Sequence, residues 1–349
     1  RDTDRSRGLG DVYKRQVLLL TLVFLLIFAK SVLKVGFGKR CEGNPLLHYF
    51  TADDFDGLKA EPVEFQNNHK EALRGFFYSD EARTDYRALL IFAHGMGGGH
   101  LSYTTEIDFF AKRGYLVLAY DQTGTMASDG KALRGMGQGF RDLLCAMQFA
   151  KENEKSKNLP VLLAGHSWGG YSVCRALYFH PQVRGVLAFS APESEPDLLL
   201  AQAKAQTGKS FAFLKPFLRF WNRLQFGAAA AMTTSEILAE SDGPVLLLHG
   251  ENDAVVPPEN AAACSKRLHG KKNIQVKLYP GKQHNVYATL EAEAYISEVL
   301  QKFGVLSGSK ESAELKAYAE TLDFRKMCEE DSAVMDFAAA FLENCLTKK

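Results

Sequence analysis

Between residues 48 and 304 the chain alternates short apolar runs with stretches of helical period. Leu58–Gln66 and Ala72–Ser79 predict two early strands, paired antiparallel. Ala88–Ala93 (ALLIFA), Tyr115–Tyr120 (YLVLAY), Pro160–Ala164 (PVLLA), Val183–Ser190 and Val245–His249 predict further strands. Ile274–Tyr279 alternates polar and apolar positions, as an outer strand does. Helical patterns fall between them at Leu101–Arg113, Met136–Lys155 and Gly169–His180. Strands that alternate with helices need right-handed crossovers, which build a mostly parallel sheet covered by helices on both faces.

Two segments break the alternation. Residues 193–242 lie between two strands and are too long for a simple connection. Residues 305–349 follow the last expected helix. Within them Val334, Phe337, Ala338, Phe341, Leu342 and Cys345 recur at helical spacing, so Ser332–Leu346 is expected to pack on the body as an amphipathic helix.

The N-terminal end differs again. Residues 1–16 show no apolar period. The piece Asp11-Val12-Tyr13-Lys14-Arg15-Gln16 back-translates to a string that resembles the transposon end of sequencing-library adapters. This segment is therefore expected to be non-native and is left out of the fold argument. Val17 to Ala29 (VLLLTLVFLLIFA) is an apolar run without a charge. At about 1.5 Å per residue it is shorter than a hydrocarbon core of roughly 30 Å. Val32, Leu33, Val35 and Phe37 extend its character beyond Lys30, and no small-residue cleavage site follows. Residues 17–40 are expected to form an N-terminal membrane anchor, with a signal segment as the alternative. The flanking charges leave its orientation open.

Composition narrows the function classes. The 349 residues are 46% hydrophobic and 24% charged, which excludes a disordered chain and a multi-span membrane protein. Lys+Arg 42 against Asp+Glu 41 lacks the basic surplus of a nucleic-acid binder, so none is expected. The six cysteines are scattered, without a CxxC pair or zinc spacing, and are read as free thiols. No metal or cofactor is called for.

The string that carries chemistry is Gly165-His166-Ser167-Trp168-Gly169, which is G-x-S-x-G between an apolar strand and a helix. In that context the chain turns sharply and presents Ser167 as a nucleophile at the carboxyl edge of the sheet. The glycine-rich loop His94-Gly95-Met96-Gly97-Gly98-Gly99 follows the ALLIFA strand. Its Met96 N–H, with the Trp168 N–H, is expected to form an oxyanion hole. His94 is read as structural. A nucleophilic serine needs a base and an orienting acid, in the order Ser, acid, His along this kind of chain. His284, in Gly281-Lys282-Gln283-His284-Asn285, is the expected base. Asp253, in His249-Gly250-Glu251-Asn252-Asp253, is the expected acid, with Glu251 as its rival.

As a set, HGMGGG, YDQTGTMASDG, GHSWGG, HGENDAVVP and GKQHN resemble the α/β-hydrolases, in particular the serine-aminopeptidase and monoglyceride-lipase-like branch. The resemblance covers residues 48–304. It implies an α/β-hydrolase fold with a helical lid insertion, a Ser167, Asp253, His284 triad, and a structural Asp121. One departure is Gly124-Thr125-Met126-Ala127-Ser128, which lacks the second glycine of the usual G-x-G-x-S.

Residues 193–242 occupy the position of the lid. Phe213, Phe217, Phe220, Trp221 and Leu224 are assigned to one helical face, and Lys215, Arg219 and Arg223 to another. Phe213, Phe217, Phe220 and Trp221 are expected to line a substrate pocket; packing on the body, or contact with an anionic membrane surface, would use the same pattern. The function expected is a membrane-anchored serine hydrolase that cleaves small or lipid-like carboxylic esters through an acyl-enzyme. The alternatives are an aminopeptidase, an acyltransferase, and a catalytically silent member of the fold that binds a ligand.

Overall fold

In the computed structural model, residues 2–179, 182–308 and 312–347 are described. The strands are β1 (Leu58–Gln66), β2 (Ala72–Asp80), β3 (Ala88–Ala93), β4 (Tyr115–Tyr120), β5 (Val161–His166), β6 (Gly185–Phe189), β7 (Val245–Gly250) and β8 (Ile274–Tyr279). They form one sheet in the order β1-β2-β4-β3-β5-β6-β7-β8. β1 pairs antiparallel with β2, and β2 antiparallel with β4. All later pairings are parallel. After β3 the chain adds β4 on one side and then returns to place β5 on the other. That reversal opens a crevice beyond the carboxyl ends of β3 and β5, where sheets of this type bind ligands.

Every residue of β3, β4, β6 and β7 is buried, which explains their continuous apolar character. Side chains alternate between two cores. Leu90, Phe92, Val117, Ala164 and Phe189 face one helical layer. Leu89, Ile91, Leu118, Leu163 and Ala188 face the other. The helices are α1 (Asp2–Phe37), α2 (Thr104–Lys112), α3 (Met136–Glu152), α4 (Trp168–Ala176), α5 (Glu195–Thr207), α6 (Lys215–Phe226), α7 (Ala228–Ala231), α8 (Thr234–Ala239), α9 (Leu290–Gly308), α10 (Ser312–Ala319), α11 (Phe324–Met327) and α12 (Ser332–Thr347).

Some boundaries differ from the pattern. α2 starts only after a 3₁₀ turn at His100–Tyr103. α3 stops at Glu152, where the next residue, Asn153, is already extended and bonds the Lys155 N–H with its side chain. α9 runs through residue 304 to Gly308, so the C-terminal extension begins inside a helix. α12 packs as expected, with Val334, Met335, Ala338, Phe341, Leu342 and Cys345 in the core.

α1 is longer than the apolar run and includes residues 2–16 as one continuous helix. The stretch Asp11–Phe37, 27 residues, is long and apolar enough to cross a membrane by length and composition. Its first half is exposed. From Leu25 onward it lies against the insertion: Ala29 is buried with Leu214 and Leu218, and the Trp221 Nε1–H donates to the Leu26 carbonyl at 2.9 Å.

The insertion is helical, from α5 to α8, but α6 presents a different face inward from the one expected. Leu218, Asn222 and Phe226 are its buried residues. Phe217 and Trp221 are half-buried beside α1, whereas Phe213 and Phe220 are 56% and 48% exposed. The cause is the partner. The stripe Leu214, Leu218 seats on α1, and Phe226 seats beside Trp168, so Phe213 and Phe220 are left outside.

Replacing Leu342 by Ala is expected to cost about 2–5 kcal/mol of unfolding free energy, read as a lower urea midpoint. Ala340→Ser, on the exposed face of the same helix, is expected to shift it by less than about 0.5 kcal/mol.

Candidate active site

Ser167 sits between β5 and α4 at φ 55, ψ −113, a left-handed strain that a sharp strand-to-helix turn imposes. The turn tolerates no side chain at Gly169, where a Cβ would stand 1.8 Å from the Ala93 carbonyl oxygen. The Ser167 N–H donates to the Phe189 carbonyl at 2.9 Å, which pins the turn to β6. Asp253 follows β7 and His284 follows β8. The Asp253 carboxylate accepts the His284 Nδ1–H at 2.8 Å. A carboxylate only accepts, so Nδ1 carries a hydrogen, and in the neutral ring the lone pair is then on Nε2. The other Asp253 oxygen accepts the Val255 and Val256 amides at 2.9 and 2.8 Å. Glu251, the rival acid, is exposed, and the carboxylate that meets His284 is Asp253. No hydrogen bond joins Ser167 Oγ to His284 among the described residues. In ligand-free sites that contact commonly tightens only with substrate present.

Met96 lies on the loop after β3 and is 41% exposed; Trp168 is the first residue of α4 and is buried. Among the described residues neither backbone N–H is taken up by a protein acceptor, so both remain able to meet an anionic oxygen. The loop that carries Met96 is held at both ends. His94 is fully buried and burial pushes its pKa down to about 4. Its Nε2 accepts the Gln122 N–H at 2.9 Å, so its Nδ1–H donates to the Gly95 carbonyl. Asp121 accepts the His100 backbone N–H at 3.0 Å and its Nδ1–H at 2.7 Å, and also the Ala127 N–H at 3.0 Å. Both side chains hold loop backbone in place through these bonds. Where the second glycine of G-x-G-x-S is missing, Met126 adopts φ 37. The residues just after α1 brace it: the Met126 N–H donates to Cys41, the Cys41 N–H donates to Gly124, and Arg40 bonds the Met126, Ser128 and Gly130 carbonyls.

The contacts that unite the site involve residues that carry no sequence signal. The Gly95 N–H donates to the Tyr103 hydroxyl at 3.0 Å, and that hydroxyl reaches His166 Nδ1 at 2.8 Å. His166 Nε2 meets the His284 carbonyl at 3.0 Å. A carbonyl only accepts, so Nε2 carries the hydrogen and Nδ1 accepts from Tyr103. Burial holds the His166 pKa well below the usual range and keeps the ring neutral, as this pattern requires. The Ser190 hydroxyl donates to the same His284 carbonyl at 2.7 Å. One chain of hydrogen bonds therefore joins the glycine-rich loop, the serine turn and the histidine loop. His166 reads from sequence as ordinary packing. Its partners Tyr103 and His284 lie 63 and 118 positions away, and no local pattern records them.

The lid aromatics are not brought to this site as a group. Phe213 and Phe220 face outward, and Trp221 lines a groove of about 480 Å³ with Ile27, Lys30, Phe37 and Arg134 beside α1. Among the described residues there is no cluster of three or more His, Cys, Asp or Glu side chains able to hold a metal ion.

Comparison with known proteins agrees with the sheet. Residues 84–237 match the family model described as serine aminopeptidase, S33, and residues 224–328 match the dienelactone hydrolase family. The chain is 26% identical to a bifunctional esterase/perhydrolase of Acinetobacter calcoaceticus over 272 residues, covering 64% of this chain and 94% of that protein. It is 23% identical to a monoacylglycerol lipase of Mycolicibacterium smegmatis over 248 residues, covering 62% and 88%. An esterase structure from Pyrococcus furiosus superposes with a TM-score of 0.55 at 20% identity, covering 76% of this chain and 96% of that one. The chain belongs to the α/β-hydrolase superfamily, and its relatives include esterase- and lipase-like enzymes.

Tyr103→Phe would leave the Gly95 N–H and His166 Nδ1 without a partner. It is expected to cost about 1–3 kcal/mol in urea unfolding, and an unchanged midpoint would contradict the chain of bonds described above.

Proposed function

We propose that the protein is a serine hydrolase that cleaves carboxylic esters through an acyl-enzyme. The observation that carries this reading is the Asp253–His284 bond at 2.8 Å, which in the neutral ring puts the hydrogen on Nδ1 and the lone pair on Nε2, on the same sheet edge as the strained Ser167 turn. In this reading Nε2 takes the Ser167 proton as Oγ attacks the ester carbonyl carbon. The tetrahedral oxyanion is met by the Met96 and Trp168 amides. His284 then gives its proton to the leaving alkoxide, and the alcohol departs. A water deprotonated by His284 attacks the acyl-enzyme, and collapse returns the proton to Ser167 as the acid leaves. Asp253 orients the ring and stabilises the imidazolium.

An apolar acyl group is favoured by the apolar residues that the helical insertion brings to Trp168. Its Phe226 and Leu198 form one apolar cluster with Trp168, next to the nucleophile. Membrane attachment through α1 is supported by its length, its exposed apolar surface and the lysines that begin at Lys30. Trp221, with the Lys30 ammonium 4.8 Å from its ring centroid, sits where an interfacial aromatic would.

Ser167→Ala is expected to lower kcat on p-nitrophenyl esters by on the order of 10³-fold or more, and Asp253→Asn by up to about 10⁴-fold. A fluorophosphonate probe should label wild type and not Ser167→Ala; equal rates or equal labelling would defeat the mechanism. Across a p-nitrophenyl chain-length series, octanoate is expected to exceed acetate in kcat/KM. The reverse order would defeat the apolar-acyl reading. The full chain is expected to stay with membranes through a high-salt wash, and release into the soluble fraction would defeat the anchor.

A further inference from the structure

Behind the histidine loop lies a second cavity, of about 230 Å³, whose lining includes neither Ser167 nor Met96 nor His284. Its walls include Phe50, Tyr103, Tyr287, Phe324 and Met327, and Glu106 projects from α2 into its lining. His48 and Leu300 stand at its rim, and Leu300 is 59% exposed, so the cavity opens to the surface.

Glu106 is the anomaly. It is 4% exposed, yet among the described residues its carboxyl bonds no other residue; only its own backbone amide acts on it. Buried carboxyls are ordinarily paired or hydrogen-bonded, because an isolated charge is costly away from water. The groups packed around it do not supply a cation. Glu330, on the loop before α12, is a second carboxyl close enough to repel it and has one buried oxygen without a partner. Tyr103, Tyr287 and Cys328 are neutral, with burial raising each. None of the nearby cations bonds the Glu106 carboxyl: Lys112 pairs with Asp108, Arg113 with Asp336, and Arg325 bonds the Asp54 carbonyl while its guanidinium lies 4.4 Å from the Phe50 ring centroid, on one face of that wall. Burial pushes Glu106 up to about 8, and burial with the repulsion from Glu106 pushes Glu330 up to about 9.

We propose that this cavity binds a small organic ammonium ion with an apolar or aryl body. The charge would rest on the Glu106 carboxylate and the body among Phe50, Tyr287 and Phe324. Three features select that chemistry. The carboxylate offers two acceptors to an N⁺–H donor. The aromatic walls offer ring faces to a cation and dry contact to its substituent. The volume exceeds that of a cavity that takes up benzene, of about 150 Å³, which leaves room for an aminomethyl group. This site does not depend on the ester-cleaving reading, because none of the proposed catalytic groups lines it.

The proton count is the signature. Because burial raises its pKa to about 8, the free Glu106 carboxyl is expected to hold a proton at pH 7. Pairing with an ammonium ion ionises it, so binding releases about one proton and tightens as pH rises toward about 8. The test is calorimetric titration of the full chain with benzylammonium and with benzyl alcohol at pH 7, in two buffers of different ionisation enthalpy. We expect saturable millimolar or tighter binding of benzylammonium, release of about one proton, and binding of benzyl alcohol at least about tenfold weaker. Glu106→Gln should abolish the proton release and weaken benzylammonium by at least about tenfold. Ser167→Ala should bind like wild type, which separates this result from the fate of the catalytic reading. Absence of saturable benzylammonium binding, equal affinity for the alcohol, no proton release, or unchanged binding by Glu106→Gln would each overturn the proposal. Should Glu106→Gln fail to fold, the wild-type comparison of amine with alcohol and the proton count decide it.

Discussion

The neutral, buried imidazole of His166 holds three separate loops in one register. It accepts from Tyr103, which in turn accepts from the Gly95 amide of the glycine-rich loop, and it donates to the backbone of His284. Remove the ring, and the serine turn loses its direct link to both neighbours. The arrangement works because the ring is kept uncharged: only a neutral imidazole has one donor and one acceptor to offer. Desolvation enforces that state, so the apolar packing around β5 and the polar chain beyond its end support each other.

A second dependence runs from the N-terminal helix into the same region. α1 seats on Leu214 and Leu218 of the insertion, and the residues after it brace the loop from Gly124 to Gly130. The Cys41 thiol also donates to the Gly97 carbonyl at 3.0 Å, on the loop that presents Met96. Helix, insertion and glycine-rich loop are therefore packed as one unit. Against this ordered background the unpaired Glu106 stands out. Elsewhere the fold supplies partners to buried carboxylates such as Asp121 and Asp253.

Much of the architecture was legible because its causes are local. A continuous apolar run of strand length leaves little choice but a buried strand, and ALLIFA and YLVLAY lie at the residues expected, as does the outer strand IQVKLY. The turn at Ser167 is equally local, since its spacing of small residues answers a steric need within five positions. Asp253 was the expected acid, but Glu251 stayed its rival, because two residues along a loop change where a carboxylate points, and only the folded loop shows which one meets His284. The insertion shows the same limit. The aromatic stripe through Phe213 and Phe220 is amphipathic on paper, but a helical wheel does not say which partner each face will meet.

The sequence by itself determined the order of strands and helices, the strained serine turn and the candidates for its partners, because spacing and periodicity are properties of neighbouring residues. The tertiary structure alone decided which face of α6 turned inward, that Asp253 and not Glu251 meets His284, and that Tyr103 and His166 link the loops. It alone enclosed Glu106 in a cavity without a cation. Each of these rests on contacts between residues far apart in the chain, set by the packing of whole elements and not by any local preference.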